Sequence, residues 1–415
     1  MKLLFISPVG FIGGAERMLL ECVRQVRALR PSWHVTVLML ADGPLGEAVI
    51  KLGAHIERVL LPSDLAAAGD SRFVASNNPL TTTNESQAAQ SRSPWIRRFF
   101  VTKLSAVGFF WKLRQAIHRI HPDIIHSNGL KSHLCTAALL QRHGPLIWHI
   151  HDYYSHRPKI QRIVRLASRR ATACLAISPS ILEDIRLVAP KLQAHLLENC
   201  VDTNHFIPGE CDTTRLDSEA GFDQPSSMLR VGLVATYANW KGHDLFLNAI
   251  ARLPNIRGFI VGGPIYTTAG SQWTESELRK MCHDLGIQDR VGFIPFQSDP
   301  LWVYRSLDVV VHASTRPEPF GLTIVEAMAC GRPVVVSAAG GAGSLFTDQW
   351  DALGHEPGKL DSLVAAIERL ANNSDFRKQL GDQARQTSVD RFSQARFGLE
   401  LINIYEMLSP ARPKK

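Results

Sequence analysis

The stretch HASTRPEPFGLTIVEAMACGRPVVVS, His312–Ser337, decides the fold. It predicts a strand, a loop, a helix that begins near Leu322, a Gly-Arg-Pro turn and a second strand. Gly321 directly precedes the helix, so the backbone N–H groups from Gly321 to Thr323 point out of the helix end. A helix N-terminus with a glycine just before it suits a diphosphate. The stretch therefore predicts a phosphate site at the end of a strand of an α/β sheet.

Two glutamates, separated by seven residues, flank this helix start. Glu326 is expected about one turn inside the helix. There its carboxylate can accept hydrogen bonds from two vicinal hydroxyls, as on a ribose. Glu318 is expected on the preceding loop, where it can bind hydroxyls of a sugar beyond the phosphates. The alternative is a solvated helix face and an ordinary loop carboxylate, which would be the better interpretation of an isolated pair.

Short apolar runs typical of strands alternate with helical patterns along both halves of the chain. Strands are predicted at 2–7, 34–39, 55–60, 123–126, 146–149, 173–177, 230–235, 257–261, 291–294, 309–312 and 333–337. Such alternation indicates βαβ units and parallel sheets, whose ligands bind at the carboxyl ends of the strands. We therefore predict an α/β protein with two Rossmann-like domains that face each other across a cleft.

The domain bounds are predicted from two polar stretches. Residues 63–94 are rich in Ser, Thr, Asn and Gln, cannot bury much surface, and are expected to form a flexible loop. Residues 209–228 are the expected linker region. The N-terminal Rossmann-like domain is then 1–208 and the C-terminal one 229–387, which leaves 388–415 as a final helical segment.

The stretch SPVGFIGGAERMLL, Ser7–Leu20, joins the first predicted strand to the first helix. Its glycines do not have the GxGxxG spacing of a dinucleotide site. About twenty residues further on, no acidic residue is present at 33–35 to bind a dinucleotide ribose. This argues against a dehydrogenase. Gly13 and Gly14 are instead expected to let the backbone of the opposite cleft wall approach the diphosphate predicted at the helix start near Leu322.

The net charge of +8 is unevenly distributed over the 415 residues. Residues 1–200 carry 25 Lys and Arg against 13 Asp and Glu, whereas the remainder carries 21 against 25. Two acid-free stretches, 95–120 and 157–170, mix basic and apolar residues at helical spacing, which favours an anionic membrane surface. The alternative is a pair of solvated helix faces. No nucleic-acid-binding module is recognisable, so nucleic acid is not an expected partner.

Cysteine usage and the chain start indicate the compartment. The seven cysteines are scattered and form no CxxC pair, which argues against a disulfide framework or a zinc site and fits a reducing compartment. The apolar start is short and runs into a glycine turn, which suits a first strand better than a signal peptide. A cytoplasmic address is expected.

Histidines follow two of the predicted strands in the N-terminal half. His149 and His151 are two residues apart, so their side chains share a face and at most one reaches the cleft. His126, followed by Ser127 and Asn128, has a similar place on another strand. A hydrogen-bonded core histidine is the alternative at each position. No third ligand is evident beside the two imidazoles, so no metal is expected.

The His312–Ser337 block resembles the EX7E motif of the retaining glycosyltransferases of family 4, which have the GT-B fold. The likeness extends over nearly the whole chain, through short motifs in the family's order: GGAER, IIHSNG, WHIHD, AISPSI, LLENCVDTNHFIP, WKGHD, VGGP, DRVGFIPF and DVVVHAS. EX7E in its context is highly specific, whereas the shorter pieces are weak alone. The resemblance implies a C-terminal donor domain, an N-terminal acceptor domain and a final helix, Phe397–Leu408, that packs back on the N-terminal domain.

The resemblance also implies roles for individual residues. Glu326 would bind the nucleotide's ribose, Glu318 the donor sugar, and Lys241 the leaving diphosphate, while His151 would lie near the reacting sugar. With the glycine turn included, the expected donor-binding residues are Gly13, Gly14, Phe320, Gly321, Leu322, Thr323 and Glu326. The expected acceptor-side residues are His126, Asn128 and Asp152.

Two positions depart from the family's pattern. Thr236 stands five residues before Lys241, where the family often has an arginine as a second cation for the diphosphate. The charge would then be met by Lys241, by helix N-termini and by another basic residue such as Arg316. Ser344 stands where the family usually has a glutamate.

The expected function is a metal-independent, retaining glycosyltransferase of the hexosyltransferase type. It would use a nucleotide-diphosphate sugar as substrate, need no cofactor, and act at the cytoplasmic membrane face on a lipid-linked or polysaccharide acceptor. Two alternatives stay open. One is a GT-B nucleotide-sugar epimerase or phosphorylase, and the other is a non-catalytic nucleotide-sugar-binding protein, which the threonine at position 236 motivates.

Overall fold

The computed structural model describes residues 1–62, 94–139, 144–224, 226–264 and 271–409. The loop predicted at 63–94 lies outside these residues except for Pro94, which begins a helix. The described chain forms two parallel sheets, each combined with helices, and this confirms the predicted α/β class with two Rossmann-like domains.

The N-terminal sheet consists of β1 (Lys2–Ser7), β2 (His34–Met39), β3 (His55–Arg58), β4 (Ile124–Asn128), β5 (Leu146–Ile150), β6 (Ala173–Ala176) and β7 (Gln193–Leu196). All its strands pair in parallel in the order β3-β2-β1-β4-β5-β6-β7. Leu3 and Phe5 pack on one face of β1, and Leu4 and Ile6 pack on the other. Both faces are therefore covered, which is why β1 is a continuous apolar run rather than an alternating one.

Helices in this half cover both faces of the sheet. They are α1 (Gly14–Leu29), α2 (Pro44–Lys51), α3 (Pro94–Ile120), α4 (Leu130–Ala137), α5 (Pro158–Ala167) and α6 (Pro179–Val188). Met18 of α1 and Leu45 of α2 belong to the core on one face. Leu113 of α3 and Val164 of α5 belong to the core on the other face, so the two basic helices share one side of the domain.

The C-terminal sheet consists of β8 (Leu229–Val234), β9 (Ile256–Gly262), β10 (Val291–Pro295), β11 (Val309–His312), β12 (Val334–Ser337) and β13 (Leu353–His355). Its parallel order is β10-β9-β8-β11-β12-β13. Since β8 and β11 are neighbours, the segments that follow Val234 and His312 meet at the same edge. This edge is where the chemistry-bearing residues of the C-terminal half converge.

The helices of the second half are α7 (Thr213–Glu219), α8 (His243–Arg252), α9 (Glu275–Asp284), α10 (Leu301–Ser306), α11 (Leu322–Ala329), α12 (Leu360–Asn372), α13 (Ser374–Phe392) and α14 (Gln394–Leu408). Among the helices of the described ranges, none is both long enough and apolar enough to cross a membrane.

Helices lie within the predicted linker region and across the predicted end of the C-terminal domain. The expected linker 209–228 contains α7, whose Asp217 is buried and pairs with Arg230 at 2.9 Å and Arg257 at 3.1 Å. This part of the stretch is thus packed on the C-terminal domain rather than extended between domains. The bound at 387 falls inside α13, which continues to Phe392 before the chain turns into α14.

The last helix returns to the N-terminal domain, as expected. Phe397 and Tyr405 of α14 are fully buried in the same core as Met18 of α1. At its end, Glu406 pairs with Arg30 at 2.7 Å. Because α14 covers this face of the N-terminal sheet, it also shields the side chains that lie beneath it from solvent.

Candidate active site

The helix α11 begins at Leu322, where the sequence predicts it. Gly321 precedes it with φ of 110°, in the left-handed region that favours glycine. An added Cβ there would lie 2.7 Å from Cδ1 of Ile324. Phe320 is buried and its ring packs edge-to-face on Phe392 of α13, which anchors the loop before the helix. The N–H groups at the start of α11 are thus held in place by a turn that requires glycine.

Glu318 lies at the centre of a polar group on the loop before α11. Its Oε2 accepts hydrogen bonds from Lys241 Nζ at 2.6 Å and from the Ser314 hydroxyl at 3.1 Å, and His312 Nε2 lies 3.4 Å away. Burial alone would raise the pKa of Glu318, but Lys241 and His312 lower it to about 2. Glu318 is therefore a carboxylate at neutral pH, ready to accept hydrogen bonds from hydroxyls.

Lys241 ends a short 3-10 turn that follows β8. Its ammonium lies 4.1 Å from the centre of the Trp240 ring. The next residue, Gly242, has φ of 75°, and an added Cβ there would lie 2.0 Å from the carbonyl oxygen of Ala313. Only glycine fits this close approach of two backbones, and the approach places Lys241 beside Glu318.

A cavity of about 110 Å³ opens between the ends of β8 and β11. Its polar lining residues are Thr236, Lys241, His312, Ser314 and Thr323. The cavity therefore joins the start of α11 to Lys241, the two groups expected to hold a diphosphate. Thr236 contributes no charge to this lining.

Glu326 lies one turn inside α11 and is buried. Its Oε2 accepts a hydrogen bond from the Tyr304 hydroxyl at 2.8 Å, and its Oε1 is 3.6 Å from Arg17 Nη1. Burial raises the pKa of Glu326, and Arg17 and Tyr304 offset only part of this rise. Tyr304 thus holds one carboxylate oxygen in place, and the other oxygen faces Arg17 of the N-terminal domain.

The glycine turn of the N-terminal domain faces the start of α11. An added Cβ on Gly14 would lie 3.7 Å from Cδ1 of Leu322. The N–H of Gly13 donates to the carboxylate of Glu16 at 3.2 Å, which caps α1. Two glycine-preceded helix N-termini therefore lie opposite each other; the diphosphate contacts of Gly13 and Gly14 stay a prediction.

His151 and Asn128 are brought together at the carboxyl ends of β5 and β4. The N–H at Nε2 of His151 donates to the side-chain oxygen Oδ1 of Asn128 at 2.8 Å. The side-chain NH2 group of Asn128 in turn donates to the backbone carbonyl oxygen of Ala15 at 3.2 Å. Burial lowers the pKa of His151 to about 3, so its ring is neutral at pH 7 and Nδ1 can accept a hydrogen bond. Asp152 is half exposed and lies 3.3 Å from Arg157.

His126 does not lie where an acceptor could touch it. Its side chain is fully buried, its Nδ1 is 2.7 Å from the Tyr405 hydroxyl of α14, and its ring packs on Phe5. The acceptor-side prediction for His126 is therefore corrected to a core position, because α14 covers this part of β4. Asn128 is also buried, so it supports His151 rather than lining an open surface.

A third potential metal ligand lies beside the buried histidines. The ligand atoms of Cys22, His126 and His149 lie within 4.8 Å of one another, and all three side chains are buried. Cys22 comes from α1, more than a hundred residues away in sequence, which is why sequence spacing did not reveal it. The group lies in the domain core, away from Glu318, and metal-independent chemistry at the donor site stays a prediction.

Several residues of the site were not predicted from sequence. Besides Tyr304 and Ser314, Tyr153 reaches across from the N-terminal domain, where its hydroxyl donates to the Glu318 carbonyl oxygen at 3.3 Å and accepts from the Gly341 N–H at 3.1 Å. The one available signal was the position of Tyr153 directly after the His151-Asp152 pair.

Two protein-family models together match most of this chain. Residues 12–205 match the model of Glycosyltransferase Family 4, and residues 223–387 match that of Glycosyl transferases group 1. A D-inositol 3-phosphate glycosyltransferase of Mycolicibacterium smegmatis is 41% identical over 144 residues, which cover 34% of this chain and 31% of that protein. The lipopolysaccharide core biosynthesis glycosyltransferase LpsE of Rhizobium meliloti is 28% identical over 241 residues, 57% of this chain and 66% of that protein. The match thus spans about a third of the first relative's length.

Among solved structures, HepE of Anabaena in complex with UDP has a TM-score of 0.78 at 23% identity, over 98% of this chain and 100% of that chain. This likeness supports the same arrangement of two facing parallel sheets. Because the two family models follow one another along the chain and the fold agrees with them, we conclude that the protein belongs to the group 1 glycosyltransferases with the GT-B fold.

Proposed function

We propose that this protein transfers a sugar, with retention of configuration and without a metal, from a nucleoside-diphosphate sugar to a lipid-linked or polysaccharide acceptor. The observation that carries the proposal is the Glu318–Lys241 pair, 2.6 Å apart at a cavity that ends on the first turn of α11. A carboxylate that can bind sugar hydroxyls thus lies next to a cation and to backbone N–H groups that can bind phosphates.

In the proposed reaction, the bond between the sugar's anomeric carbon and the diphosphate oxygen breaks, and a bond to the acceptor oxygen forms. The acceptor's proton passes to the leaving phosphate oxygen on the same face of the sugar. Lys241 and the N–H groups of Leu322 and Thr323 would stabilise the departing diphosphate. Glu318 would hold the sugar hydroxyls, Glu326 the ribose, and His151 would lie beside the reacting sugar.

The donor is best tested with uridine nucleotides first, because HepE, which shares the fold, was crystallised with UDP and with UDP-glucose. UDP, GDP, ADP and their sugars would be compared by thermal shift, since a ligand that binds only the folded state raises Tm. We expect one base series to raise Tm, and Glu326→Gln to reduce that rise. No shift with any of the nucleotides would contradict the proposal.

Transfer itself separates the proposal from a non-catalytic nucleotide-sugar-binding protein. The sugar should appear on the acceptor with its donor configuration, which NMR of the product's anomeric proton reports. Transfer should continue in the presence of EDTA. A product of inverted configuration would contradict retention, and loss of transfer that is restored by a divalent cation would contradict metal independence.

The acceptor is proposed from the surface of the N-terminal domain. Apolar side chains at the exposed positions of α3 and α5 lie among exposed basic ones. The apolar ones are Val107, Trp111, Ile163 and Leu166, and the basic ones are Lys112, Arg114, Lys159 and Arg162. Aromatic and apolar side chains among cations suit an anionic lipid surface. LpsE, a relative over part of the chain, is named for lipopolysaccharide core synthesis, which agrees with an envelope acceptor at the cytoplasmic membrane face.

Liposome flotation tests this surface. We expect binding to vesicles that contain anionic lipid, weaker binding at high salt, and weaker binding of the double variant Trp111→Ser/Leu166→Ser. The control is Leu187→Ser, an exposed apolar residue of α6 outside the two stretches. Equal flotation with neutral and anionic vesicles would contradict the role of anionic lipid, and no flotation with either would contradict the membrane contact itself.

A further inference from the structure

Arg17 crosses from the N-terminal domain to the candidate donor site. It lies in the first turns of α1, one turn after Gly14, which faces Leu322. Its guanidinium donates to the Ser298 carbonyl oxygen at 3.3 Å, and Nη1 lies 3.6 Å from Glu326 Oε1. Both of these partners belong to the C-terminal half. Arg17 is therefore a cation of one domain placed against the ribose-side glutamate of the other.

The donor cavity needs positive charge that its own lining does not supply. Lys241 is the one lysine or arginine among the described residues that line the cavity, and Glu318 already neutralises it at 2.6 Å. The remaining polar lining side chains include Thr236 and Thr323, which are uncharged. A diphosphate ester carries more negative charge than such a site offsets, and its charge increases when it leaves.

The contact between Arg17 and Glu326 is weak enough for Arg17 to leave it for another anionic partner. At 3.6 Å it is longer than a hydrogen bond, and the Arg17 side chain is 36% exposed, against 8% for Glu326. The hydrogen bond from Tyr304 is made to the other oxygen of Glu326, Oε2, and so does not involve Arg17. A guanidinium, moreover, binds phosphate oxygens through two parallel N–H groups, which a lysine cannot do.

We propose that Arg17 is the second cation for the donor's diphosphate: it pairs with Glu326 while the ribose site is empty and moves to the phosphates when the nucleotide binds. The inference rests on the proposed donor site and adds a residue to it. Ribose hydroxyls would take over the Glu326 oxygen that Arg17 leaves. Because Arg17 belongs to the N-terminal domain, diphosphate binding would also hold the two domains together.

The test compares affinities for uridine, UMP and UDP by calorimetry, with the guanosine series in parallel. Removing a charge-assisted hydrogen bond to a phosphate weakens binding by about 10- to 100-fold. Arg17→Gln should therefore weaken UDP or GDP binding by that factor and leave the affinity for the nucleoside, which has no phosphate, within about threefold. Arg17→Lys should retain part of the diphosphate affinity. The matched control is Arg24→Gln, two turns further along α1, where the side chain pairs with Glu21.

A Glu326→Gln background separates the two functions of the guanidinium. If Arg17 binds phosphate, Arg17→Gln still weakens diphosphate binding in that background. An equal loss for nucleoside, monophosphate and diphosphate, or no loss, would overturn the inference and leave the donor site intact. Failure of the unsubstituted protein to bind any of these nucleotides would instead overturn the proposed function, and this inference with it.

Discussion

At the scale of single residues, the Lys241–Glu318 ion pair sets the charge of the donor site. Their side chains are 18% and 11% exposed, so each charge depends on the other to offset the cost of its burial. The hydroxyl of Ser314 adds a further hydrogen bond to the same carboxylate oxygen. A site arranged in this way holds an ionised glutamate in place before any sugar arrives.

Breaking this pair should destabilise the protein. We expect Lys241→Met to lower the free energy of unfolding at pH 7 by about 3 kcal/mol, because it leaves a buried carboxylate without its cation. The lowered pKa of Glu318 contributes stability above the ordinary value of 4.5, and that contribution is lost as pH falls through about 2. Urea unfolding measures the change.

The double variant Lys241→Met/Glu318→Gln is the control for this loss. It removes both charges, so most of the lost stability should return while activity does not. The losses of unfolding free energy in Lys241→Met and in Glu318→Gln can be added and compared with the loss in the double variant. If the double variant loses as much as this sum, the contact between the two side chains contributes nothing to stability.

The residues that meet Glu326 show how far the sequence could predict this site. Glu318 and Glu326 share one short motif, so their spacing alone placed them at the same helix start. Tyr304 and Arg17 reach Glu326 from α10 and α1, and these contacts depend on how separate elements pack. The acceptor-side prediction for His126 was wrong for the same reason. The two-residue period of β4 shows which residues share a face, but it does not reveal that α14 covers that face.

At the scale of elements, the start of α11 carries the diphosphate site. It depends on Gly321, whose φ of 110° other residues rarely adopt. We expect Gly321→Ala to destabilise the protein by about 1–2 kcal/mol and to weaken donor binding, because the added Cβ displaces the first turn of the helix. Thermal unfolding and nucleotide titration measure the two effects.

Gly358→Ala is the matched control. Its φ of 71° is also left-handed, but an added Cβ meets nothing within 4 Å. It should therefore cost similar stability and leave donor binding unchanged. If both variants weakened donor binding equally, the turn at α11 would have no special part in the site.

Elements were predicted best where the pattern was longest. The apolar runs at 2–7 and 309–312 identified β1 and β11 with their observed bounds. The edge strands β7 and β13 were not predicted, because β7 has no fully buried residue and β13 is only three residues long. The predicted domain bound at 387 lies within a helix, because α13 continues without interruption to Phe392.

At the scale of the whole molecule, the N-terminal domain contains a group of neutral histidines in its interior. The group is His126, His133, His149 and His151. Burial lowers the pKa of each, to about 3 for His126 and His151. For His149, neither ring nitrogen has a hydrogen-bond partner among the described residues.

These histidines should make stability fall with acid. Below the ordinary pKa of 6.5 the unfolded chain binds protons that the native state excludes, so stability rises with pH. Each histidine should contribute a loss of about 1 kcal/mol per pH unit between pH 6.5 and 5. Denaturant unfolding at pH 7, 6 and 5 measures the slope.

His149→Leu should flatten this slope, because the replacement cannot titrate and has no polar atoms to leave unpaired. His34→Leu, at an exposed position of β2, is the control and should leave the slope unchanged. An identical slope in His149→Leu and the unsubstituted protein would contradict this account of the domain core.

The central claim is that sugar is transferred from a nucleoside-diphosphate sugar at the Glu318–Lys241 site. The most direct measurement is release of nucleoside diphosphate from the donor identified by thermal shift, followed together with sugar incorporation into a membrane extract. We predict equal amounts of both products, and a fall of about 100-fold or more in Glu318→Gln with the fold intact. Glu219→Gln, at an exposed position of α7, should be fully active. Undiminished transfer by Glu318→Gln, or no donor consumption by the unsubstituted protein, would contradict the claim.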